Sequence, residues 1–187
     1  MEKRQAVEGA IYLALFAACI PAANWLIQHV GTVCVPNGPC LIPVAPGITA
    51  PSGVRMIGLA LVRRDLVQRR LGLGWAVAAI LAGAALSAAV APPALVVASV
   101  AAFVVSEFAD LAVYTPLQRR GLVLAVFASS LAGLVIDSIV FLSLAFGSLE
   151  YLAGQVIGKA WMVLLALPFI RWLKHRDEAL GLAQRAS

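Results

Sequence analysis

The feature that most constrains this chain is a succession of apolar runs, each about 18 to 25 residues long. An α-helix rises 1.5 Å per residue, so each run is long enough to cross the ~30 Å hydrocarbon core of a bilayer. The runs are continuous rather than alternating, which favours helices, and strands are not expected. The predicted spans are 7–30, 50–67, 73–90, 94–114, 122–146 and 151–173.

Composition argues against a soluble domain. Hydrophobic residues make up 62% of the 187 residues, charged residues only 12%, and the mean hydropathy is +0.95. These values are typical of a polytopic membrane protein. Because the spans and their short connections use nearly the whole chain, residues 1–187 are expected to form one integral membrane domain. The predicted fold class is therefore an all-α, six-helix transmembrane bundle.

Basic residues predict the orientation of this bundle. Twelve of the fourteen Lys and Arg residues cluster at one predicted face, and by the positive-inside rule both termini lie in the cytoplasm. They lie at membrane edges without interleaved aromatic residues, which indicates lipid headgroups rather than nucleic acid as partners. The twelve are Lys3, Arg4, Arg63, Arg64, Arg69, Arg70, Arg119, Arg120, Arg171, Lys174, Arg176 and Arg185.

The three cysteines do not follow a metal-site pattern, because Cys19 lies in the first span and Cys34 and Cys40 lie in an outer loop without a nearby histidine. Within this proline-containing loop, Cys34 and Cys40 either form a disulfide or remain free thiols. The chain also lacks a phosphate-binding Gly-rich loop and a Ser-His-Asp set. No enzymatic activity, cofactor or metal is therefore predicted.

Asp137 and Lys159 interrupt the fifth and sixth apolar runs. They lie about nine and about eight residues from the outer ends of their spans, which places both roughly 12–14 Å deep. A charge at membrane depth costs at least a few kcal/mol, so it is usually retained for pairing, for substrate or for a coupling ion. The two residues are predicted to form either a structural salt bridge or a substrate site, in which Asp137 accepts and Lys159 donates hydrogen bonds.

Four further polar residues are candidates for substrate binding. Glu107 and Asp110 share one face of the fourth span, where two carboxylates repel unless one is protonated or a cation or donor lies between them. The alternative for Asp110 is a cytoplasmic position capped by water or arginine. Asn24 and Gln155 carry amides in the outer third of their spans, suited to reading a heterocycle or to joining helices.

Three other side chains are weaker candidates. Arg55, near the outer start of the second span, either lines an entrance or extends to the outer interface. Ser129 belongs to the polar stripe of the fifth span. Trp161 either stacks on a flat ring or packs as an ordinary aromatic residue.

Five segments carry these polar residues in a fixed order along nearly the whole chain. They are Ala23-Asn24-Trp25-Leu26, GLALVRRDLVQRRLG, ASVAAFVVSEFADLAVYTPLQRR, FASSLAGLVIDSIVFLSLAF and GQVIGKAWMVLLALPFI. In this order they resemble the VUT family of queuosine precursor transporters. The resemblance is more specific than a single short motif, because each segment has its polar residue in place.

This resemblance implies an inner-membrane protein that imports the deazaguanine bases preQ0 and preQ1 for salvage into the queuosine modification of tRNA. It also implies a bundle similar to the substrate-binding subunits of energy-coupling-factor vitamin transporters. Glu107 occupies a place where Gln can occur in relatives. The residues on polar positions typical of the family are Asn24, Asp110, Ser129, Asp137 and Lys159.

Several alternatives remain open from the residues alone. The substrate is preQ0, preQ1, another purine-like base or a vitamin, or else the buried charges only fix helix partners in a structural or assembly protein. Uptake is facilitated, coupled to protons through Glu107, Asp110 or Asp137, or coupled to a separate ATPase. The expected partners are a small-molecule base and the lipid bilayer, with a homo-oligomer or a coupling ATPase module as further options and no nucleic acid.

Overall fold

A computed structural model describes residues 2–35 and 38–182 of the chain, and Arg185 lies outside this described part. The helices are α1 (Glu2–His29), α2 (Val54–Leu71), α3 (Leu73–Val90), α4 (Val96–Leu117), α5 (Leu122–Phe146) and α6 (Leu152–Ala179). Three strands lie between α1 and α2, namely β1 (Val33–Cys34), β2 (Cys40–Ala45) and β3 (Ile48–Pro51). A short 3-10 turn, Pro93–Leu95, precedes α4.

Five of the helices in the described ranges are long and apolar enough to cross a membrane, and α2 is the exception. This 18-residue helix contains five arginines and one aspartate. Its start also differs from the predicted span 50–67, because residues 50 and 51 belong to β3 and the helix begins at Val54. An all-α membrane protein is thus confirmed, whereas hydropathy does not identify α2 as a sixth crossing.

α2 nevertheless lies at the centre of the bundle. It packs along α1 and contacts α3, α4, α5 and α6. Leu61 and Leu66 belong to a buried core shared with α5 and α6, while Ala60 belongs to a second core shared with α1 and α3. Most polar side chains of α2, from Arg64 to Arg70, are therefore buried against other helices.

The ends of α2 coincide with the ends of its neighbours. At its C-terminal end, Arg70 contacts Glu8 of α1 at 2.9 Å and Asp177 of α6 at 2.7 Å. Just before its N-terminal end, Ser52 donates a hydrogen bond to the Leu26 carbonyl oxygen of α1 at 2.6 Å. α2 is therefore antiparallel to α1 and extends along most of its length.

Glycines allow α2 to approach α5 and α6 closely. A Cβ atom at Gly58 would lie only 2.6 Å from the carbonyl oxygen of Lys159. A Cβ atom at Gly133 of α5 would lie 2.8 Å from Leu61 Cδ2. Small residues of this kind let helix backbones pack tightly within a membrane. These contacts hold the two helices that carry Asp137 and Lys159 against α2.

The loop between α1 and α2 folds into an antiparallel sheet with strand order β1-β2-β3. The expectation that strands are absent is therefore wrong for this loop. Prolines disfavour a helix here, and strand pairing satisfies the backbone groups of a segment that lies beyond the apolar helices. A disulfide joins Cys34 to Cys40, which decides between the two states left open by the sequence. The sheet packs against α1 and α6 and covers the outer end of the bundle.

Gly58→Ala is expected to lower the thermal unfolding temperature of the purified protein in detergent. The added Cβ meets a backbone oxygen that no side-chain rotation can move, and overpacking of this kind costs about 1–3 kcal/mol. Gly74→Ala is the matched control, because its Cβ would meet no described atom within 4 Å beyond its own helix. Equal unfolding temperatures for the two variants in a thermal melt would contradict this close approach.

Candidate functional site

Lys159 of α6 and Asp137 of α5 form a buried ion pair. The Lys159 ammonium lies 2.5 Å from Asp137 Oδ2, 2.8 Å from Ser138 Oγ and 2.5 Å from Gln155 Oε1. An ammonium has three N–H donors, and these three acceptors use all of them. The exposed side-chain fractions are 1% for Lys159 and 10% for Asp137. The direct pairing anticipated from the similar depth of the two residues is therefore present.

Helical spacing brings these polar groups to one point. Gln155 precedes Lys159 by four residues, so both side chains lie on the same face of α6. Ser106 of α4 donates to the second carboxylate oxygen, Asp137 Oδ1, at 3.4 Å. Because this contact is long, Asp137 Oδ1 retains most of its capacity to accept a hydrogen bond.

The ion pair forms part of the wall of a cavity with a volume of about 70 Å³. Asn24, Asp137, Gln155 and Lys159, all predicted as binding residues, line this same cavity. The apolar part of the wall consists of Ile20, Ala23, Ile27, Val54, Ile57, Ala102, Phe103 and Phe141. An apolar cavity with a few convergent polar groups is the usual form of a small-molecule site.

Sequence reasoning missed several residues of this wall. Ser87 and Ser99 place hydroxyl groups there, and Phe103 and Phe141 supply aromatic surface. Ser87 is the single polar side chain of α3, which is a weak signal in the sequence. In the structure Ser87 is only 3% exposed. The two phenylalanines gave no signal, because in sequence they are indistinguishable from lipid-facing residues.

A second polar cluster surrounds Arg64 of α2. The guanidinium contacts Asp65 at 2.9 Å, Glu107 at 3.3 Å and also Asp110, and it donates to Gln68 Oε1 at 3.0 Å. The four charged side chains are at most 2% exposed. The prediction that Arg64 contacts lipid headgroups is therefore wrong. Arg64 is buried because α2 is surrounded by helices, and carboxylates on α2 and α4 compensate its charge.

Three predicted binding residues lie in this second cluster and do not line the cavity. Glu107 and Asp110 face Arg64, which supplies a cation beside their closely spaced carboxyl groups. Ser129 of α5 donates to Asp65 Oδ2 at 2.9 Å. Within the described residues, no group of three or more His, Cys, Asp or Glu side chains is arranged to hold a metal ion.

The two remaining candidates also lie outside the cavity wall. Arg55 is exposed near the outer end of α2. Trp161 is 53% exposed, and its Nε1 donates to the Val44 carbonyl oxygen of β2 at 3.2 Å. Trp161 thus connects α6 to the sheet above the bundle.

A third set of charges lies at the cytoplasmic end predicted from the basic residues. Asp177 contacts Arg69 at 2.8 Å and Arg70 at 2.7 Å, while Glu8 contacts Arg70 at 2.9 Å and Arg176 at 2.7 Å. These ion pairs link α1, α2 and α6. Three arginines that were assigned to lipid headgroups therefore have carboxylate partners within the protein.

Comparison with protein families matches residues 71–173, more than half of the chain, to the family described as "Putative vitamin uptake transporter". The matched segment contains α3, α4, α5 and most of α6. It therefore includes the Asp137–Lys159 pair and both acidic residues of α4 in the second cluster. No curated protein and no solved structure matches the chain.

Lys159→Met is expected to lower the free energy of unfolding by about 3–5 kcal/mol, because Asp137 becomes an uncompensated buried charge. Adding Asp137→Asn in the same chain is expected to recover most of this loss, since the unpaired charge is then removed. Unfolding of the wild type, both single variants and the double variant in detergent measures the coupling energy. Strictly additive losses would show that the two groups do not interact.

Proposed function

The chain belongs to the putative vitamin uptake transporter family, and we propose that it imports a deazaguanine base, preQ0 or preQ1, for salvage into the queuosine modification of tRNA. Membership of this family indicates a transporter of the vitamin-uptake type, and the long apolar helices indicate a multi-pass membrane protein. The choice of substrate rests on the chemistry of the cavity and on the resemblance of five sequence segments. The proposed location is a bacterial-type inner membrane.

The observation that carries this proposal is the polar face that Asp137, Lys159 and Gln155 present to an otherwise mostly apolar cavity. A deazaguanine places a carbonyl acceptor beside N–H donors on one edge. Asp137 is suited to accept from those donors, and the Lys159 ammonium is suited to donate to the carbonyl. Gln155 uses its oxygen in the contact with Lys159, so its two N–H donors are not used in that contact.

The energetics of the ion pair favour a role in binding. A buried ion pair contributes little net stability compared with apolar packing, so helix association alone does not explain why these charges are retained. A ligand that offers both donors and an acceptor can hydrogen-bond to Asp137 and Lys159, so that neither side chain lacks a hydrogen-bond partner when the base is bound. Phe103 and Phe141 in the same wall provide aromatic surface for a flat ring.

The proposed topology has six crossings, with α2 as the sixth. Its 18 residues measure about 27 Å, close to the thickness of the hydrocarbon core. Its arginines do not argue against a crossing, because Arg64 and Arg70 are paired inside the protein. Six crossings place both ends of the chain on the side of the Glu8–Arg70–Asp177 contacts, which agrees with the positive-inside rule.

Asp137→Asn is expected to reduce uptake of labelled preQ0 or preQ1 at least about tenfold, because losing a charged hydrogen-bond acceptor costs about 1.5–3 kcal/mol. Uptake is measured in cells that cannot make the precursor and lack their own transporter. The cells receive a nanomolar concentration of the base. Queuosine formation in tRNA is the second readout.

Glu178→Gln is the matched control, since it makes the same carboxyl-to-amide change on α6 at a side chain that is 58% exposed. It is expected to transport like the wild type. A folded, well-expressed wild-type protein that restores no uptake would overturn the proposed substrate. Normal uptake by Asp137→Asn would instead overturn the assignment of the site.

A further inference from the structure

The cluster around Arg64 contains more acidic groups than basic ones. One guanidinium, which is always protonated, contacts the three carboxyl groups of Asp65, Glu107 and Asp110. Full ionisation would leave two uncompensated negative charges among side chains that are at most 2% exposed. Uncompensated charge in a bundle interior costs several kcal/mol. The cluster must therefore bind protons to remain buried.

Asp65 and Asp110 are the two carboxyl groups of the cluster that approach the same atom. Both carboxyl groups contact the same nitrogen, Nη2 of Arg64. Two carboxylates that share one site in a dry environment do not both ionise. Moreover, Asp110 Oδ2 and the Tyr114 hydroxyl are buried and have no hydrogen-bond partner among the described residues. Asp110 Oδ2 is therefore an atom that can bind a proton without displacing a hydrogen bond of the described structure.

Glu107 is the member of the cluster closest in chain order to the substrate site. Its contact with Arg64 Nε, at 3.3 Å, is the longest of the three ion pairs of that guanidinium. The preceding residue, Ser106, donates to Asp137 in the cavity wall. Glu107 is therefore adjacent in the chain to a residue that contacts the Asp137–Lys159 pair, while its own carboxyl group contacts Arg64 of the cluster.

A hydrogen-bonded series leads from the cluster toward the cytoplasmic end. Arg64 donates to Gln68 Oε1 at 3.0 Å, and Gln68 Nε2 donates to Thr115 Oγ1 at 3.0 Å. Thr115 is only partly buried and lies two residues before the last residue of α4. The cluster is thus hydrogen-bonded to polar groups on the side of the cytoplasmic end.

We propose that Glu107 binds a proton that is carried inward together with the substrate, so that the protein is a proton symporter. This inference rests on the proposed transport function. With one proton shared by Asp65 and Asp110 and a second on Glu107, the cluster has no net charge. Loss of the second proton leaves one buried negative charge. The neutral form is the one that can change conformation without exposing an unpaired charge to the apolar interior.

The neighbours of Glu107 define the electrostatic setting of this proton. α3 contributes no titratable side chain, and Lys159 of α6 acts through its ion pair with Asp137. Arg63 donates to Cys19 of α1 at 2.6 Å. The titratable or charged groups that face Glu107 or the other members of its cluster are Cys19 of α1, Arg63, Arg64, Asp65 and Arg69 of α2, Asp110 and Tyr114 of α4, and Asp137 of α5.

The test uses the purified full-length protein in lipid vesicles, with equal potassium on both sides and valinomycin to hold the membrane potential at zero. The probe is preQ0, whose nitrile group carries no charge. For one proton per substrate, an outside-acid gradient of one pH unit should drive accumulation to about tenfold, because one pH unit is a tenfold ratio of protons. A pH-sensitive dye inside the vesicles should also report acidification when preQ0 is added.

Glu107→Gln keeps the size of the side chain and mimics its protonated form. This variant is expected to exchange internal for external labelled preQ0 like the wild type, but to show no accumulation in response to the pH gradient. Glu178→Gln is the matched control and should accumulate preQ0 normally. If Glu107→Gln does not fold, the dye measurement on the wild type still tests symport, and an absence of acidification during preQ0 uptake would overturn the proposal.

The outcomes separate the two proposals. Exchange of preQ0 by the wild type without any response to the pH gradient would overturn the symport proposal and leave transport intact. Accumulation that persists in folded Glu107→Gln would overturn the assignment of Glu107. Absence of any preQ0 exchange by the wild type would overturn the transport proposal and the symport proposal together.

Discussion

The structure depends on the burial of a charged helix at the centre of an apolar bundle. α2 carries five arginines, and a lone charge at this depth would cost several kcal/mol. Arg64 and Arg70 are nevertheless almost fully buried, because carboxylates on α1, α2, α4 and α6 surround them. The contacts of α2 with α1, α4 and α6 therefore supply the partners that its buried charges require inside the protein.

The polar groups form three levels along α2. The outer level is marked by Gly58, which lies against Lys159, the middle level by Arg64 and the inner level by Arg70. Six residues separate each level from the next, which corresponds to about 9 Å along the helix. The outer level lines a cavity, the middle level is closed, and the inner level joins three helix ends. A movement of α2 relative to α6 would change contacts at the outer and inner levels together. Such an arrangement is suited to a protein in which binding at one end must be communicated to the other.

Part of this arrangement was accessible from the sequence. The depths of Asp137 and Lys159 followed from counting residues to the span ends, and the structure pairs the two side chains. The same reasoning failed for Arg64, because a residue near a predicted span end looks the same whether it faces headgroups or three carboxylates. The sheet was missed because its pairing depends on contacts between segments, whereas helical runs are visible in any short window.

The sequence by itself determined that this chain is a helical membrane protein with ionisable groups at membrane depth, since length and hydropathy are local properties. Only the tertiary structure decided which groups meet. It separated Glu107, Asp110 and Ser129 from the cavity that contains Asp137 and Lys159. The physical reason is that many of the ion pairs join residues far apart in the chain, 43 positions for Arg64 and Glu107 and 168 for Arg176 and Glu8. Which of them come together depends on how the helices pack and not on their spacing along the chain.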